Sequence, residues 1–258
     1  MLGLSGLLTT GIKMKNKKSL GQNWLNNRTI LNHIADLATR PNLSLCVEIG
    51  PGLGTLTSSL LRKFSKVIAI EYDSNLAQNL PGSFPGKNLT VINEDILKYD
   101  FSSLNEDYVI AGNIPYYITS PIIEKILTLD NPPARIVLLI QKEVAERIAD
   151  SRETVLSLFV KNHATISLDS VVGKTEFTPP PKVDSQIIVL DPHPPIIDDK
   201  IFKFIKLGFS NPRKKLIHNL SSLKSKNDWA EIFNRLNLSP DARPADLSLN
   251  DWQRLSKS

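Results

Sequence analysis

The chain has 258 residues, 41% of them hydrophobic and 22% charged, with a formal net charge of +5. These proportions are ordinary for a soluble globular protein and leave room for one large domain, or one large and one small. A single cysteine rules out an internal disulfide framework, and the four histidines lie far apart without acidic or thiol neighbours at ligand spacing, so no metal site is expected.

The chain opens on Met1 to Leu8, which is apolar but too short to span a bilayer and lacks the basic stretch that precedes a signal-peptide core. No other stretch is long and apolar enough to cross a membrane, so the expectation is a cytosolic protein. Residues 1–16 are expected to form a disordered extension. Residues 1–28 carry Lys13, Lys15, Lys17, Lys18 and Arg28 without an acid, and residues 196–258 carry 12 basic and 7 acidic residues, so the middle of the chain is acidic. Basic ends around an acidic centre suggest a polyanion gripped at the edges of a site; two solvated Lys-rich surfaces explain the same charges.

From Leu45 the pattern alternates short apolar runs with helical periodicity. Strands are expected at Leu45–Ile49, Val67–Ile70, Leu89–Ile92, Tyr108–Ala111 and Ile136–Ile140, and helices at Leu53–Lys63, Asn75–Leu80, Pro121–Thr128 and Lys142–Ile148. His163–Val172 and Ser185–Leu190 read as a closing hairpin joined by the proline-rich run Phe177 to Ser185. This order implies an α/β fold, a Rossmann-like doubly wound sheet that binds its ligand beyond the carboxyl ends of the strands. A break at Asp191-Pro192-His193-Pro194-Pro195 ends that domain, placed at residues 17–195. Helical stripes follow: Phe202, Ile205 and Phe209; Leu216, Leu220 and Leu223; Trp229, Ile232, Phe233 and Leu236. They predict a small all-helical domain over residues 196–258.

Four strand ends carry groups suited to one ligand. After the first come Gly50, Gly52 and Gly54, which let the backbone pass close to a bound molecule, and Thr55 stands where a dinucleotide fingerprint wants a further glycine. The second ends at Glu71, at the offset from which an acid reaches ribose hydroxyls. The third ends near Asp95, an acceptor for an adenine amino group. The fourth leads into Asn113-Ile114-Pro115-Tyr116. An exocyclic adenine amine is a poor nucleophile because its lone pair is delocalised, and two acceptors on its N–H groups favour the localised form. The Asn113 side-chain oxygen and the Ile114 carbonyl can supply them, Pro115 fixes the turn, and Tyr116 offers a π-face. Together these residues describe a site for S-adenosyl-L-methionine beside a target amine.

Lys17 to Leu25, Glu48 to Thr55, Asn113 to Tyr116, Gln141 to Val144, Phe177 to Ser185, Arg213-Lys214-Lys215 and Pro240 to Pro244 occur in the order found in the ribosomal RNA adenine dimethylase family, which the chain resembles from about Lys17 to its end, and most closely in its 16S-directed branch. The resemblance implies cofactor contacts at Asn23, Leu25, Gly50, Glu71, Asp95 and Asn113, a flipped base stacked on Tyr116 and Phe177, and RNA contacts from Lys17, Lys18, Arg213, Lys214 and Lys215. It implies dimethylation of two adjacent adenosines in the 3′-terminal hairpin loop of 16S rRNA, within an immature 30S particle, by a monomer. Trp24 replaces the usual Phe, Glu153-Thr154-Val155 departs from the usual pattern, and Pro212 stands where Arg is common. Two rival readings share the scaffold: a 23S rRNA adenine dimethylase of the macrolide-resistance type, and a noncatalytic assembly or transcription factor.

Overall fold

The computed structural model describes residues 22–258. The expected N-terminal extension, and Lys17 and Lys18, lie outside them. In chain order the elements are β1 (Trp24–Leu25), α1 (Arg28–Ala38), β2 (Leu45–Ile49), α2 (Thr55–Leu60), β3 (Lys66–Glu71), α3 (Ser74–Asn79), β4 (Leu89–Asn93), β5 (Tyr108–Asn113), α4 (Thr119–Leu127), β6 (Arg135–Gln141), α5 (Lys142–Ala149), α6 (Val155–His163), β7 (Ala164–Val172), β8 (Phe177–Thr178), β9 (Ser185–Pro192), α7 (Asp199–Gly208), α8 (Leu216–Asn219), α9 (Lys226–Arg235) and α10 (Leu249–Ser256).

Seven strands form one sheet in the order β4-β3-β2-β5-β6-β9-β7. β2 through β6 run parallel, and β9 runs antiparallel to both β6 and β7. The register sets Ile49 beside Ile70 and Gly112, and Glu71 beside Asn93. The carboxyl ends of β2 to β5 are therefore level, and everything that follows them emerges along one edge of the sheet. The chain order reverses between β2 and β5, which opens a crevice there.

Both faces of the inner strands β2, β3, β5, β6 and β9 are buried, which is why they read as continuous apolar runs, while the edge strands β4 and β7 are partly exposed. Side chains alternate between faces. Val47, Ile49, Ile70, Ile110 and Leu138 join one core with α4, α5 and α6, while Cys46, Val67, Val109, Ala111 and Val137 join the other with α1 and α2. α1 was not read from the sequence. It begins at Asn27, whose side chain accepts from Thr29 N and Ile30 N, and buries Leu31, Ile34, Ala35 and Ala38. α6 was also missed, because its apolar residues face two cores at once and blur the helical stripe.

That double duty joins the two parts of the chain. Leu158 of α6 is fully buried among Phe202, Ile205, Leu216, Leu220, Trp229, Phe233 and Trp252, with Val155 and Phe159 packed against them. The C-terminal helices thus complete their core with a helix of the sheet domain. Asn162 reinforces the joint: its Oδ1 accepts from Ile197 N and its Nδ2 donates to the Ile197 carbonyl. Leu223, expected in a helical stripe, is 53% exposed, because α8 ends at Asn219. Other differences lie at element ends: α2 stops at Leu60, while β3 and β5 extend to include Glu71 and Asn113. A bulge lies between Leu168 and Val171 in β7.

Candidate functional site

A cavity of about 330 Å³ opens beyond the carboxyl ends of β2, β3, β4 and β5. Its floor is the turn from β2 into α2. Gly50 N donates to the Ile70 carbonyl at 3.0 Å and Gly54 N to the Pro51 carbonyl at 2.9 Å, which folds the turn tightly against β3. Gly50, Gly52 and Gly54 all have positive φ. At Gly52 a side chain is also excluded by a neighbour, since a Cβ would lie 3.0 Å from Trp24 Nε1. Gly54 is different. It caps α2 in the left-handed region, a Cβ there would lie 2.7 Å from Leu80 Cδ1, and it does not line the cavity. Beside the cofactor contact expected of it, Gly54 thus has a packing role.

Glu71 ends β3 and is 7% exposed. Its Oε2 accepts from Gly52 N at 3.0 Å and its Oε1 from Asp73 N at 2.8 Å. Burial raises its pKa, and these main-chain donors oppose the rise. A carboxylate has about four acceptor positions, so each oxygen keeps capacity for a ligand hydroxyl. Asp95, beyond β4, is anchored by Leu97 N donating to Oδ1 at 2.9 Å and lines the same cavity.

The upper wall comes from the chain's described beginning. β1 and β8 pair antiparallel, Trp24 against Thr178 and Leu25 against Phe177. Asn26 Nδ2 donates to Thr178 Oγ1 at 2.7 Å, and Asn27 Nδ2 to Glu176 Oε2 at 2.8 Å. These bonds hold Gln22, Asn23, Trp24 and Leu25 along the cavity. Two motifs about 150 residues apart in sequence thus form one small sheet beside the site.

Asn113, Ile114, Pro115 and Tyr116 close the remaining side. Asn113 Nδ2 donates to the Asn23 carbonyl at 2.9 Å, which leaves Oδ1 as the acceptor end of the amide. Pro115, at φ −60° and ψ 133°, turns the chain into a short 3-10 segment over Tyr116–Ile118. The half-buried Tyr116 shares a 2.7 Å hydrogen bond with Ser185 Oγ at the start of β9. Burial raises the Tyr116 pKa, so the phenol stays neutral.

Phe177 does not join this wall. It is 3% exposed, packs in the second core opposite Leu25, and does not line the cavity. Arg213, Lys214 and Lys215 are exposed between α7 and α8, away from the cavity lining, and Lys215 pairs with Asp241. Sequence reasoning passed over Glu48, Trp24, Tyr72 and Tyr117, all of which line the cavity. An acid inside the apolar run Leu45-Cys46-Val47-Glu48-Ile49 was the available signal for Glu48. Tyr72 and Tyr117, 64% and 63% exposed at the rim, had none.

Glu48, Glu71, Glu94 and Asp95 line the cavity, and no Lys, Arg or His does so among the described residues. Such a cavity disfavours the pyrophosphate of a dinucleotide and suits a ligand bearing positive charge. S-adenosylmethionine, with its sulfonium and ammonium groups, fits this lining: Glu71 would take the ribose hydroxyls, Asp95 the adenine amine, and the Gly50–Gly52 backbone the close approach.

The model of the family described as ribosomal RNA adenine dimethylase matches residues 13–258. Ribosomal RNA small subunit methyltransferase A of Mycoplasma mycoides is 36% identical over 257 residues, covering 94% of this chain and 97% of its own. Among solved structures, a dimethyladenosine transferase from Plasmodium falciparum aligns with a TM-score of 0.76 at 29% identity, covering 90% of this chain and 95% of that one. The 23S rRNA methyltransferase ErmE aligns with a TM-score of 0.74 at 26% identity, covering 91% and 98%. The chain belongs to the ribosomal RNA adenine dimethylase family.

Proposed function

We propose that this member of the ribosomal RNA adenine dimethylase family uses S-adenosylmethionine to dimethylate N6 of two adjacent adenosines in the 3′-terminal hairpin loop of 16S rRNA. It acts as a cytoplasmic monomer on an immature 30S particle. The observation that carries the chemistry is the bond from Asn113 Nδ2 to the Asn23 carbonyl, which commits the amide oxygen to an N–H donor in the cavity. The likeness to a small subunit methyltransferase over nearly the whole of both chains supports the choice of RNA.

S-adenosylmethionine supplies an electrophilic methyl group on its sulfonium. Asn113 Oδ1 and the Ile114 carbonyl accept from the adenine N6–H groups and localise the nitrogen lone pair; Tyr116, held by Ser185, stacks on the base. As the N–C bond forms, the methyl–sulfur bond breaks and its electron pair stays on a neutral thioether; N6 is left as a substituted ammonium that sheds its proton to water, so the site needs no general base. One N–H remains after the first transfer, and rotation of the amine presents it to the same acceptors for the second.

The test is methyl transfer from labelled cofactor to isolated 30S and 50S particles, with mass spectrometry of the RNA. Dimethyladenosine confined to 16S rRNA is expected. Label confined to 23S rRNA would establish the reading that the likeness to ErmE favours, and no transfer to either would leave a noncatalytic binding role.

A further inference from the structure

Glu48 is the anomalous group in the cavity. It sits one residue before the end of β2, is 1% exposed, lines the cavity, and its Oε2 has no hydrogen-bond partner. A buried carboxylate is costly unless paired and hydrogen-bonded. The titratable groups facing it offer no countercharge: they are Glu71 from β3 and the Cys46 thiol on its own strand, whose own pKa is pushed up by burial and by Glu48. Thr57 of α2 moderates the cost, although neither its Oγ1 nor Glu48 Oε2 finds a partner at bonding distance and angle. Glu71 solves the same problem with two main-chain donors. Two carboxyl groups thus share one cavity: Glu71 is supported as an anion by two main-chain donors, and Glu48 only by Thr57, whose side chain and backbone oppose but do not cancel the effect of burial.

We infer that Glu48 is a neutral carboxylic acid in the cofactor-free protein and loses its proton when the cationic cofactor enters, so that cofactor capture is coupled to proton release. The inference rests on S-adenosylmethionine being the ligand. Burial raises the free Glu48 pKa to about 8, and Glu71 adds to that rise, which places the switch in the physiological range. A positive ligand in the cavity supplies the missing countercharge and stabilises the anion. The carboxyl O–H bond breaks, the proton passes to solvent, and no redox partner is involved. Cofactor affinity then rises by up to about tenfold per pH unit below pH 8 and levels off above it.

Calorimetric titration of S-adenosylmethionine into the full chain, in buffers of differing ionisation enthalpy, counts the protons. Near pH 7 the unmodified protein is expected to release about one proton more per bound cofactor than Glu48→Gln does. The ligand's own amine titrates equally in both experiments and cancels in the difference. Equal proton counts for the two proteins would overturn the inference while leaving the cofactor assignment intact; absence of binding at every pH would overturn both. Infrared difference spectra of the unmodified protein give a readout independent of the variant. Loss of a protonated-carboxyl C=O band on cofactor addition supports the coupling, and an unchanged band refutes it.

Discussion

The side-chain amide of Asn113 donates to the main-chain carbonyl of Asn23 across 90 positions of sequence, at 2.9 Å. A carbonyl only accepts, so the amide nitrogen must face Asn23 and the oxygen is left for the substrate. Asn113→Ala removes that oxygen and is expected to lower methyl transfer by about 100-fold or more, since an acceptor aimed at a reacting amine acts mainly in the transition state. Cofactor affinity should largely survive. Single-turnover rates beside calorimetry decide the matter, and near-normal turnover would refute the assigned role.

The glycines of the β2–α2 turn should separate into two classes. Gly54→Ala places a Cβ against Leu80 and Phe84 at φ +80° and is expected to cost about 1 to 3 kcal/mol of stability. Its effect on cofactor affinity should be small. Gly52→Ala, at φ +57° beside Trp24, should lower both stability and affinity, with part of the affinity restored in a Trp24→Ala background. Denaturant midpoints and cofactor titrations of the three variants test this.

Tyr116 and Ser185 act as one unit through their 2.7 Å bond. Tyr116→Phe and Ser185→Ala should each cost about 0.5 to 1.5 kcal/mol, read as reduced turnover, with the ring left less firmly placed. The double variant should be little worse than the poorer single one. Additive losses in the cycle would show that the two residues act separately.

Among the described residues, Arg213 and Lys214 are exposed without an acidic partner, whereas Lys215 is paired with Asp241. Reversing Arg213 and Lys214 to Glu should weaken binding to small-subunit particles and reduce its log–log salt slope by about one per lost phosphate contact. Lys215→Ala should do less. Filter binding across a salt series checks both, and an unchanged slope would mark these residues as a solvated surface.

Glu48 also links folding to pH. Its folded pKa, about 8, lies above the ordinary value of 4.5, so the folded state binds the proton more tightly. The stability this contributes is complete below about pH 4.5 and is lost as pH rises toward and through 8. In the absence of cofactor, Glu48→Gln should gain on the unmodified protein over that interval, measured as urea midpoints from pH 5 to 8.5. A constant difference across the range would count against a buried neutral acid.

Much of this molecule is written locally. The five parallel strands, the helices α2 to α5 and the closing β7 and β9 follow from apolar runs and helical periodicity, most plainly in the inner strands, where burial on both sheet faces leaves little room for polar residues. Glu71, Asp95 and Asn113 were legible for a related reason: in a parallel sheet, residues just past successive strands emerge on one edge whatever the details of packing. Helices with divided loyalties were not legible. α6 serves both the sheet core and the C-terminal helices, so neither stripe dominates its sequence.

Long-range contacts decided the rest. Sequence placed Asn23, Leu25 and Phe177 in motifs, but only the pairing of β1 with β8 shows that Leu25 and Phe177 oppose each other in one buried core, at the edge of which Leu25 also lines the cavity. Gly54 has the backbone freedom expected of it, and only the structure shows that Leu80 and Phe84 leave no room there for a side chain. The chain by itself determined the fold class, the order of the strands' chemical groups and the place of the tetrapeptide Asn113 to Tyr116 at the end of β5, all of which depend on local periodicity and on where strands end. Tertiary structure alone decided which way the Asn113 amide faces, what steadies Tyr116, and that the Glu48 oxygen is left unpaired, because a side chain's orientation and ionisation are set by neighbours that the sequence keeps far apart.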